Sequence, residues 1–359
     1  MSERIRPRWV VGMSGGVDSS VAAALLVEQG AEVIGVTMHL AGSQSRCCSL
    51  EDADDARRVA DQLGIRFYVA NYKDRFREEV ILPFADAYLA GRTPIPCVAC
   101  NRHFKFRHLV ERAKALGTAG VATGHYARLA LDPETGERRL LRGVDPGKDQ
   151  SYFLFDLGQE QLRRIAFPLG DLTKDEVREK ARELGLATAD KPESQEICFV
   201  PDGDYARAVE ELRPAAIPGA GDIVDGSGRK LGRHGGIHRF TVGQRRGLGL
   251  TSAEPRYVCR LDAQTNQVVV GDACDLETKS AWIEEVSWTR GRAPQPGRRA
   301  QVKIRHQHPG AEGTLEPGPN GRVRVAFAEP VRAVAPGQAA VFYDGDEVLG
   351  GGWIAGSGP

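Results

Sequence analysis

The chain has 359 residues, enough for two or three domains with cores of their own, and its 48 basic residues balance 48 acidic ones. A formal net charge of zero excludes a globally basic nucleic-acid binder, so any RNA surface must be a local patch. No apolar run approaches the roughly 20 residues of a membrane span. The run after the basic start, residues 1–8, is too short for a signal peptide, so the chain is expected in the cytoplasm with no membrane partner.

Residues 9 to 126 alternate strands and helices. Segments 9–13, 32–38, 66–70 and 121–123 read as strands, and 18–29, 50–63, 75–90 and 104–116 as helices. That rhythm predicts a parallel sheet with helices on both faces and ligands beyond the carboxyl ends of the strands. The loops Met38-His39-Leu40 and Gly124-His125-Tyr126 should therefore converge on one site. Segments 127–131 and 138–142 flank Pro133-Glu134-Thr135-Gly136 and read as a β-hairpin. Thr173-Lys174-Asp175-Glu176 is a capping box opening a helix to about Leu184, stopped by Gly185. From Ile217 onward short alternating segments dominate, at 258–262, 267–270, 281–286, 301–304, 322–326 and 339–343. That texture predicts a mainly β region ending in a small barrel. The expected class is α/β, with an α/β domain at 1–205, a mainly β domain at 206–280 and a C-terminal β-barrel at 281–359. A helical insert near 160–187 is expected to lean on the second domain.

Between the first strand and its helix lies Gly12-Met13-Ser14-Gly15-Gly16-Val17-Asp18-Ser19-Ser20. A strand, a small-residue loop and a helix N-terminus make an anion site, because free backbone N–H groups and the helix dipole point at the ligand. The P-loop pattern is absent for want of Gly-Lys-Ser/Thr, and the dinucleotide pattern G-x-G-x-x-G is not spelled either. A tight turn with no ligand is the bland alternative. The stretch resembles the PP-loop of ATP pyrophosphatases, which cleave ATP between the α and β phosphates and adenylate a substrate oxygen. The resemblance places the pyrophosphate end in this loop, with Asp18 assisting Mg²⁺.

The seven cysteines (47, 48, 97, 100, 198, 259 and 274) are expected to be reduced, and an odd number argues against a complete disulfide framework. Cys97 and Cys100 form a C-x-x-C pair on the proline-stiffened loop Thr93-Pro94-Ile95-Pro96. Cys100 is expected close to the N-terminus of the following helix, where the dipole and the neighbouring Arg102 and Lys105 would favour a reactive thiolate. Cys198 lies on a loop in Glu193-Ser194-Gln195-Glu196-Ile197-Cys198-Phe199-Val200. Cys259 and Cys274 read as buried small hydrophobes, and Cys47-Cys48 as the same or as an accessory metal pair. A zinc half-site at C-x-x-C lacks a second such pair.

Pro-Cys-x-x-Cys-Asn, Ala-Thr-Gly-His-Tyr, Gly-Lys-Asp-Gln-Ser, Glu-Ser-Gln-Glu-Ile-Cys-Phe-Val and Phe-Thr-Val-Gly-Gln-Arg follow the PP-loop in order. With them the chain resembles the bacterial tRNA-specific 2-thiouridylases. The similarity runs from Gly12 to Ala335-Pro336-Gly337-Gln338 and Gly350-Gly351-Gly352. It implies ATP bound by Gly12 to Ser19 (including Met13, Ser14, Gly15, Gly16, Val17 and Asp18), Met38 and Gly124. It implies Cys100 as the catalytic cysteine and Cys198 as the persulfide carrier, loaded by a cysteine desulfurase or sulfur-relay protein. ATP would adenylate C2–O of the wobble uridine in tRNAs for Lys, Glu and Gln, and sulfur transfer would leave a Cys100–Cys198 disulfide. Ile95, Pro96, Cys97, His125, Lys148, Asp149, Gln150, Arg305, His306 and Gln338 match tRNA-contacting positions. Two departures stand out. Ile95-Pro96-Cys97 replaces the family's Asn-Pro-Asp, so a thiol stands where a carboxylate does, and His306 replaces a common Tyr. Cys97, Cys100 and Cys198 are thus an alternative ligand set for an iron–sulfur cluster with one iron left open. Other PP-loop ligases are a second alternative, and a persulfide carrier without adenylation a third.

RNA binding by a neutral chain needs gathered positive charge. Arg229, Lys230, Arg233, His234, His238, Arg239, Arg245 and Arg246 fall in one acid-free stretch, and Arg290, Arg292, Arg298, Arg299, Lys303 and Arg305 in a second. Arg102, Lys105, Arg107 and His108 lie beside Cys100. The three runs predict a tRNA cradle.

Overall fold

β-Branched runs with both faces covered start the fold. The structure, a computed structural model, describes residues 6–40, 50–193, 197–251 and 254–358. Strands β1 (Arg8–Gly12), β2 (Glu32–His39), β3 (Arg66–Asn71) and β4 (Gly120–Thr123) are followed by a hairpin, β5 (Ala127–Leu131) and β6 (Arg138–Arg142), and by the short β7 (Ile165–Ala166). The order β3-β2-β1-β4-β7 is parallel throughout. Because β1 has β2 on one side and β4 on the other, the connections leaving it diverge. The crevice beyond the ends of β1 and β4 is the topological switch point, where such sheets bind ligands.

The helix Val17–Glu28 is apolar nearly all round because it is covered twice. Val21, Ala22 and Ala23 share one buried cluster with Val11 and Val33 of the sheet and with Val177, Ala181 and Leu186. Each such buried Val or Leu stabilises by about 1.5–3 kcal/mol. The helix Lys174–Glu183 therefore packs on the first domain's own helix rather than on the second domain, while Leu162 and Ile165 of the same 160–187 insert share a cluster with Val341 and Tyr343 of the C-terminal region. The helix's capping box forms as expected: Thr173 Oγ1 accepts from Glu176 N–H, and Glu176 accepts from Thr173 N–H at 2.7 Å.

The second region holds β8 (Gly221–Val224), β9 (Lys230–His234), β10 (Tyr257–Asp262) and β11 (Gln267–Gly271) in the order β10-β11-β8-β9. The helix Tyr205–Leu212 ties it to the first domain. Its Val209 lies in a cluster with Phe84, Tyr88 and Val200. The C-terminal strands are β12 (Glu277–Trp288), β13 (Arg298–Lys303), β14 (Ala311–Pro317), β15 (Val323–Arg332), β16 (Ala339–Asp344) and β17 (Glu347–Ser357). β12 pairs with both β15 and β17, which closes the barrel. Hairpin β5–β6 extends the barrel sheet rather than the parallel sheet, joining it where Glu347 lies opposite Leu141.

Strands β8, β9, β14 and β17 went unrecognised in the sequence. β17 carries Gly350-Gly351-Gly352, a composition poor in strand signal. Here the missing side chains are a packing requirement: a Cβ on Gly351 would stand 2.6 Å from the Ala340 carbonyl oxygen and 2.8 Å from the Phe155 ring. Among the described residues no helix is long and apolar enough to cross a membrane.

Candidate active site

At the switch point a cavity of about 200 Å³ is lined by Gly12, Met13, Ser14, Asp18, Ser19, Met38 and Gly124, seven of the ten residues assigned to ATP. Gly15, Gly16 and Val17 make the turn behind it. Gly16 caps the helix, and its carbonyl accepts from Ser19 Oγ at 3.1 Å and Ser20 Oγ at 2.9 Å. Ser19 Oγ in turn accepts from Ser14 N–H at 3.1 Å, which holds the loop open around its own N–H groups. Gly124 touches this loop from β4: a Cβ there would lie 2.7 Å from the Asp18 carbonyl carbon and from the Ser19 nitrogen. The loop after β4 is thus docked on the loop after β1, backbone to backbone.

His125 and Gln150, assigned to tRNA, line the same cavity. His125 Nδ1 is 2.7 Å from Thr123 Oγ1 and its ring lies near Phe106 and Phe167. Burial, helped by the Lys105 charge, pushes its pKa down to about 3, so the imidazole is neutral. Gln150 Oε1 accepts from Tyr126 N–H at 3.0 Å, which fixes its side chain at the cavity edge.

Lys174, read from the sequence only as the first turn of a helix, is 7% exposed and reaches the phosphate loop. Its ammonium lies 2.6 Å from Asp18 Oδ1 and 2.9 Å from Glu193 Oε1. Tyr126 Oη donates to the same Asp18 oxygen at 2.7 Å, and Lys148 bonds Glu193 at 2.6 Å. A basic residue at N1 of a helix has no reason of its own to be there, since the dipole opposes it; that was the available signal. Burial works to raise the Glu193 carboxyl, but hydrogen bonds from Lys148 and Lys174 outweigh it and bring the pKa down to about 2. A lowered folded pKa contributes stability above the unfolded value and loses it as pH falls through the folded one. Glu193→Gln is therefore expected to cost roughly 2–3 kcal/mol at pH 7. In thermal unfolding the gap between variant and parent should narrow between pH 4.5 and pH 2.

The thiols belong to an apolar cluster that shares Met38, Leu40 and Leu109 with the cavity. The helix that carries Cys100 begins earlier than expected. Pro96 takes the first helical position, which suits a residue without an N–H, and Cys100 opens a π-helical stretch, Cys100–Phe106, ahead of the helix Arg107–Ala115. Cys97, not Cys100, is in the first turn, so the helix N-terminus does not lie at Cys100 as expected. Cys100 is 6% exposed in a cluster with Phe76, Val80, Phe104 and Leu109, against which Cys198 and Phe199 pack. Residues nearly a hundred apart in sequence are thus gathered in one apolar cluster as thiols. Cys97 is exposed and outside it. Among the described residues no group of three or more His, Cys, Asp and Glu is placed to hold a metal. The arrangement of Cys97, Cys100 and Cys198 does not fit the ligand set of an iron–sulfur cluster. Cys274 is exposed rather than buried, and half-buried Cys259 has its thiol pushed up to about 11, chiefly by burial. Cys47 and Cys48 lie outside the described residues.

The remaining tRNA-assigned positions divide. Ile95 and Pro96 line a second cavity, about 320 Å³, between the first domain and the barrel, beside Gly337. Gln338 Nε2 donates to the Thr93 carbonyl at 3.0 Å, strapping the barrel to the loop before Cys97. Asp149 is buried, accepting from Gly143 N–H and Ser151 N–H, so its carboxylate organises the turn between Lys148 and Gln150. His306 packs against Phe153 with the rings tilted and their centroids 4.5 Å apart, and its Nε2 is 3.3 Å from the Asp149 carbonyl oxygen, while Arg305 is exposed.

The basic runs do not survive folding as bare charge. Arg229, Lys230 and Arg233 pair with Asp225 and Asp222, and His238 and Arg239 with Glu210. Arg290, Arg292 and Arg298 meet Asp132, Glu137, Glu347 and Asp344, and Arg102 and Arg107 meet Asp156 and Glu79. Arg245, Arg246, Arg299 and Arg305 are exposed and have no acidic partner among the described residues. The expected cradle of three runs shrinks to these few positions. Arg245→Glu with Arg246→Glu is expected to weaken RNA binding about tenfold and to flatten its salt dependence by about two phosphate contacts, in filter binding across a salt series.

Fold and cavity together define an α/β nucleotide-binding protein of the PP-loop class with a β-rich middle domain and a closed C-terminal barrel. Family models agree: one described as a tRNA methyl transferase HUP domain matches residues 7–202, a tRNA methyl transferase PRC-barrel domain matches 210–272, and an aminomethyltransferase beta-barrel domain matches 278–354. Over 96% of its length the chain is 52% identical to the tRNA-specific 2-thiouridylase MnmA of Solibacter usitatus, covering 98% of that protein. It is 54% identical to the protein of that name from Rhodospirillum rubrum over 98% of this chain and 96% of that one. For Geobacter metallireducens the figures are 51%, 99% and 98%. The chain belongs to the tRNA-specific 2-thiouridylase family.

Proposed function

We propose that the protein is an ATP-dependent tRNA-uridine 2-sulfurtransferase acting on the wobble uridine of tRNAs of the Lys, Glu and Gln type in the cytoplasm. One observation carries this reading. Met38, Leu40 and Leu109 form both the wall of the nucleotide cavity and the wall of the cluster holding Cys100 and Cys198. An activated base in the cavity and a sulfur carried by Cys198 would be separated by a single layer of side chains.

ATP would set its phosphates on the N–H groups at the start of the helix Val17–Glu28. Asp18, which lines the cavity, suits Mg²⁺ alongside phosphate oxygens. The uridine C2 oxygen attacks the α-phosphorus and pyrophosphate leaves, turning an inert carbonyl into a carbon that carries AMP as a leaving group. Cys198, loaded with a terminal sulfur by a desulfurase or relay protein, attacks C2 through that sulfur. The Cys100 thiolate then attacks Cys198 Sγ and breaks the S–S bond, leaving sulfur on C2 and a Cys100–Cys198 disulfide. AMP departs with the electrons of its bond to C2, C2=S forms, and an external thiol reduces the disulfide. His125 and Gln150 would meet the target base. Ile95, Pro96, Cys97, Lys148, Arg305, His306 and Gln338 would meet the RNA around it, with Asp149 acting through the turn it holds. Residues 1–205 would form the catalytic domain, 206–280 the connecting domain and 281–359 the barrel that meets tRNA.

The test is an anaerobic reaction of the protein with unmodified tRNA, ATP–Mg²⁺ and a persulfide donor, followed by nucleoside mass spectrometry. 2-Thiouridine at the wobble position is expected. Folded protein that yields neither thiouridine nor AMP would refute the reading.

A further inference from the structure

We propose that Lys105 is a catalytic residue of the adenylation step, the cation that faces the α-phosphate of ATP where nucleotide and target base meet. The inference rests on the sulfurtransferase reading above and goes beyond it by naming the group that stabilises the first transition state.

Among the described residues lining the nucleotide cavity, Lys105 is the one cationic side chain and Asp18 the one acidic side chain. His125 is held neutral there. A triphosphate entering this cavity therefore meets Lys105.

Its place in the fold says which phosphate it meets. The helix Arg107–Ala115 packs over β1 and β4, and Leu109 Cδ1 lies 3.2 Å from where a Cβ on Gly12 would stand. Lys105 is about one turn before Leu109, and helical side chains lean toward the N-terminus. Lys105 therefore reaches the cavity that Ser14, Asp18 and Ser19 of the loop after β1 and His125 after β4 also line. The electrostatic effect of Lys105 on His125 agrees with that position. The phosphate loop holds the pyrophosphate end on one side and His125 meets the base on the other, so the group between them is the α-phosphate.

The step needs a cation there. The O–P bond from C2–O forms as the P–O bond to pyrophosphate breaks, and the electron pair of that bond leaves with pyrophosphate. Negative charge builds on the α-phosphate oxygens and the bridging oxygen, and a fixed ammonium stabilises it without losing its proton. The π-helical stretch also makes Lys105 a near neighbour, along the helix, of Cys100. One short segment would then supply both the cation for activation and the thiol for sulfur release.

The experiment measures single-turnover pyrophosphate release from ATP–Mg²⁺ with unmodified tRNA for the parent protein, Lys105→Met and Lys105→Arg. Lys105→Met should slow release by about 100-fold or more, with ATP affinity changed less than about tenfold and persulfide loading of Cys198 unaltered. Lys105→Arg should recover part of the rate. Two results overturn the proposal: release at the parent rate in Lys105→Met, or parallel loss of thermal stability, ATP binding and Cys198 loading, which marks a structural role. A parent protein that releases no pyrophosphate sinks the sulfurtransferase reading itself.

Discussion

Cys198→Ser is expected to abolish 2-thiouridine formation, a loss of at least about a thousandfold, while the single-turnover burst of pyrophosphate persists. The hydroxyl cannot hold a persulfide, yet the nucleotide cavity keeps its lining, because Cys198 is not part of it and packs instead on the cluster that shares Met38, Leu40 and Leu109 with the cavity. Cys100→Ser should fail later: sulfur from the donor loads onto Cys198, the S–S bond is not cleaved and thiouridine does not appear. The two variants are separated by mass spectrometry of the intact protein after exposure to the donor, in which only Cys100→Ser should gain a sulfur atom on Cys198. Serine at position 100 also buries a hydroxyl in an apolar cluster, which costs about 1–3 kcal/mol if unpaired. Cys100→Ala keeps the packing closer to the parent and must give the same stalled product if the loss is chemical. Thiouridine from Cys100→Ala at the parent rate would remove Cys100 from the mechanism.

Gly124→Ala is expected to lose ATP binding by about 100-fold or more, since a misplacement of about 1 Å can cost that much. The added methyl would stand 2.7 Å from two backbone atoms of the phosphate loop, the Asp18 carbonyl carbon and the Ser19 nitrogen, and 3.0 Å from Asp18 Cβ. Backbone cannot swing aside as a long side chain can. The loop must shift, and with it the N–H groups that would face phosphate and the Asp18 carboxylate bonded to Lys174 and Tyr126. Isothermal calorimetry with a non-hydrolysable ATP analogue checks the binding. Persulfide loading of Cys198 is the control, and it should survive because Cys198 does not line the cavity.

Elements governed by short-range rules could be read from the residues. The alternation of the first 126 residues, the hairpin around Pro133-Glu134-Thr135-Gly136 and the Thr173 capping box all form at or within a few residues of the expected places. Each is encoded by neighbours a few positions apart. The helix carrying Cys100 starts before its expected place, at Pro96, because the loop prolines read more readily as stiffening than as a first helical position.

The charge runs failed for a different reason. A stretch such as 229–239 contains no acid, yet Asp222, Asp225 and Glu210 neutralise most of it from outside the stretch. Lys174 is the same lesson in reverse: its partners Asp18 and Glu193 are far from it in sequence and close only in the fold.

The small-residue loop after β1, the parallel α/β rhythm and the β texture of the C-terminal part are legible in the residues alone, because hydrophobic period, small-residue turns and caps are local properties. Which side chains meet depends on how distant segments pack. Cys100 and Cys198 share one apolar cluster with Phe76, Phe104 and Phe199, and Lys105 reaches the cavity because its helix lies across β1 and β4. Contacts of that kind follow from strand order and from burial shared between distant segments, which no local period records.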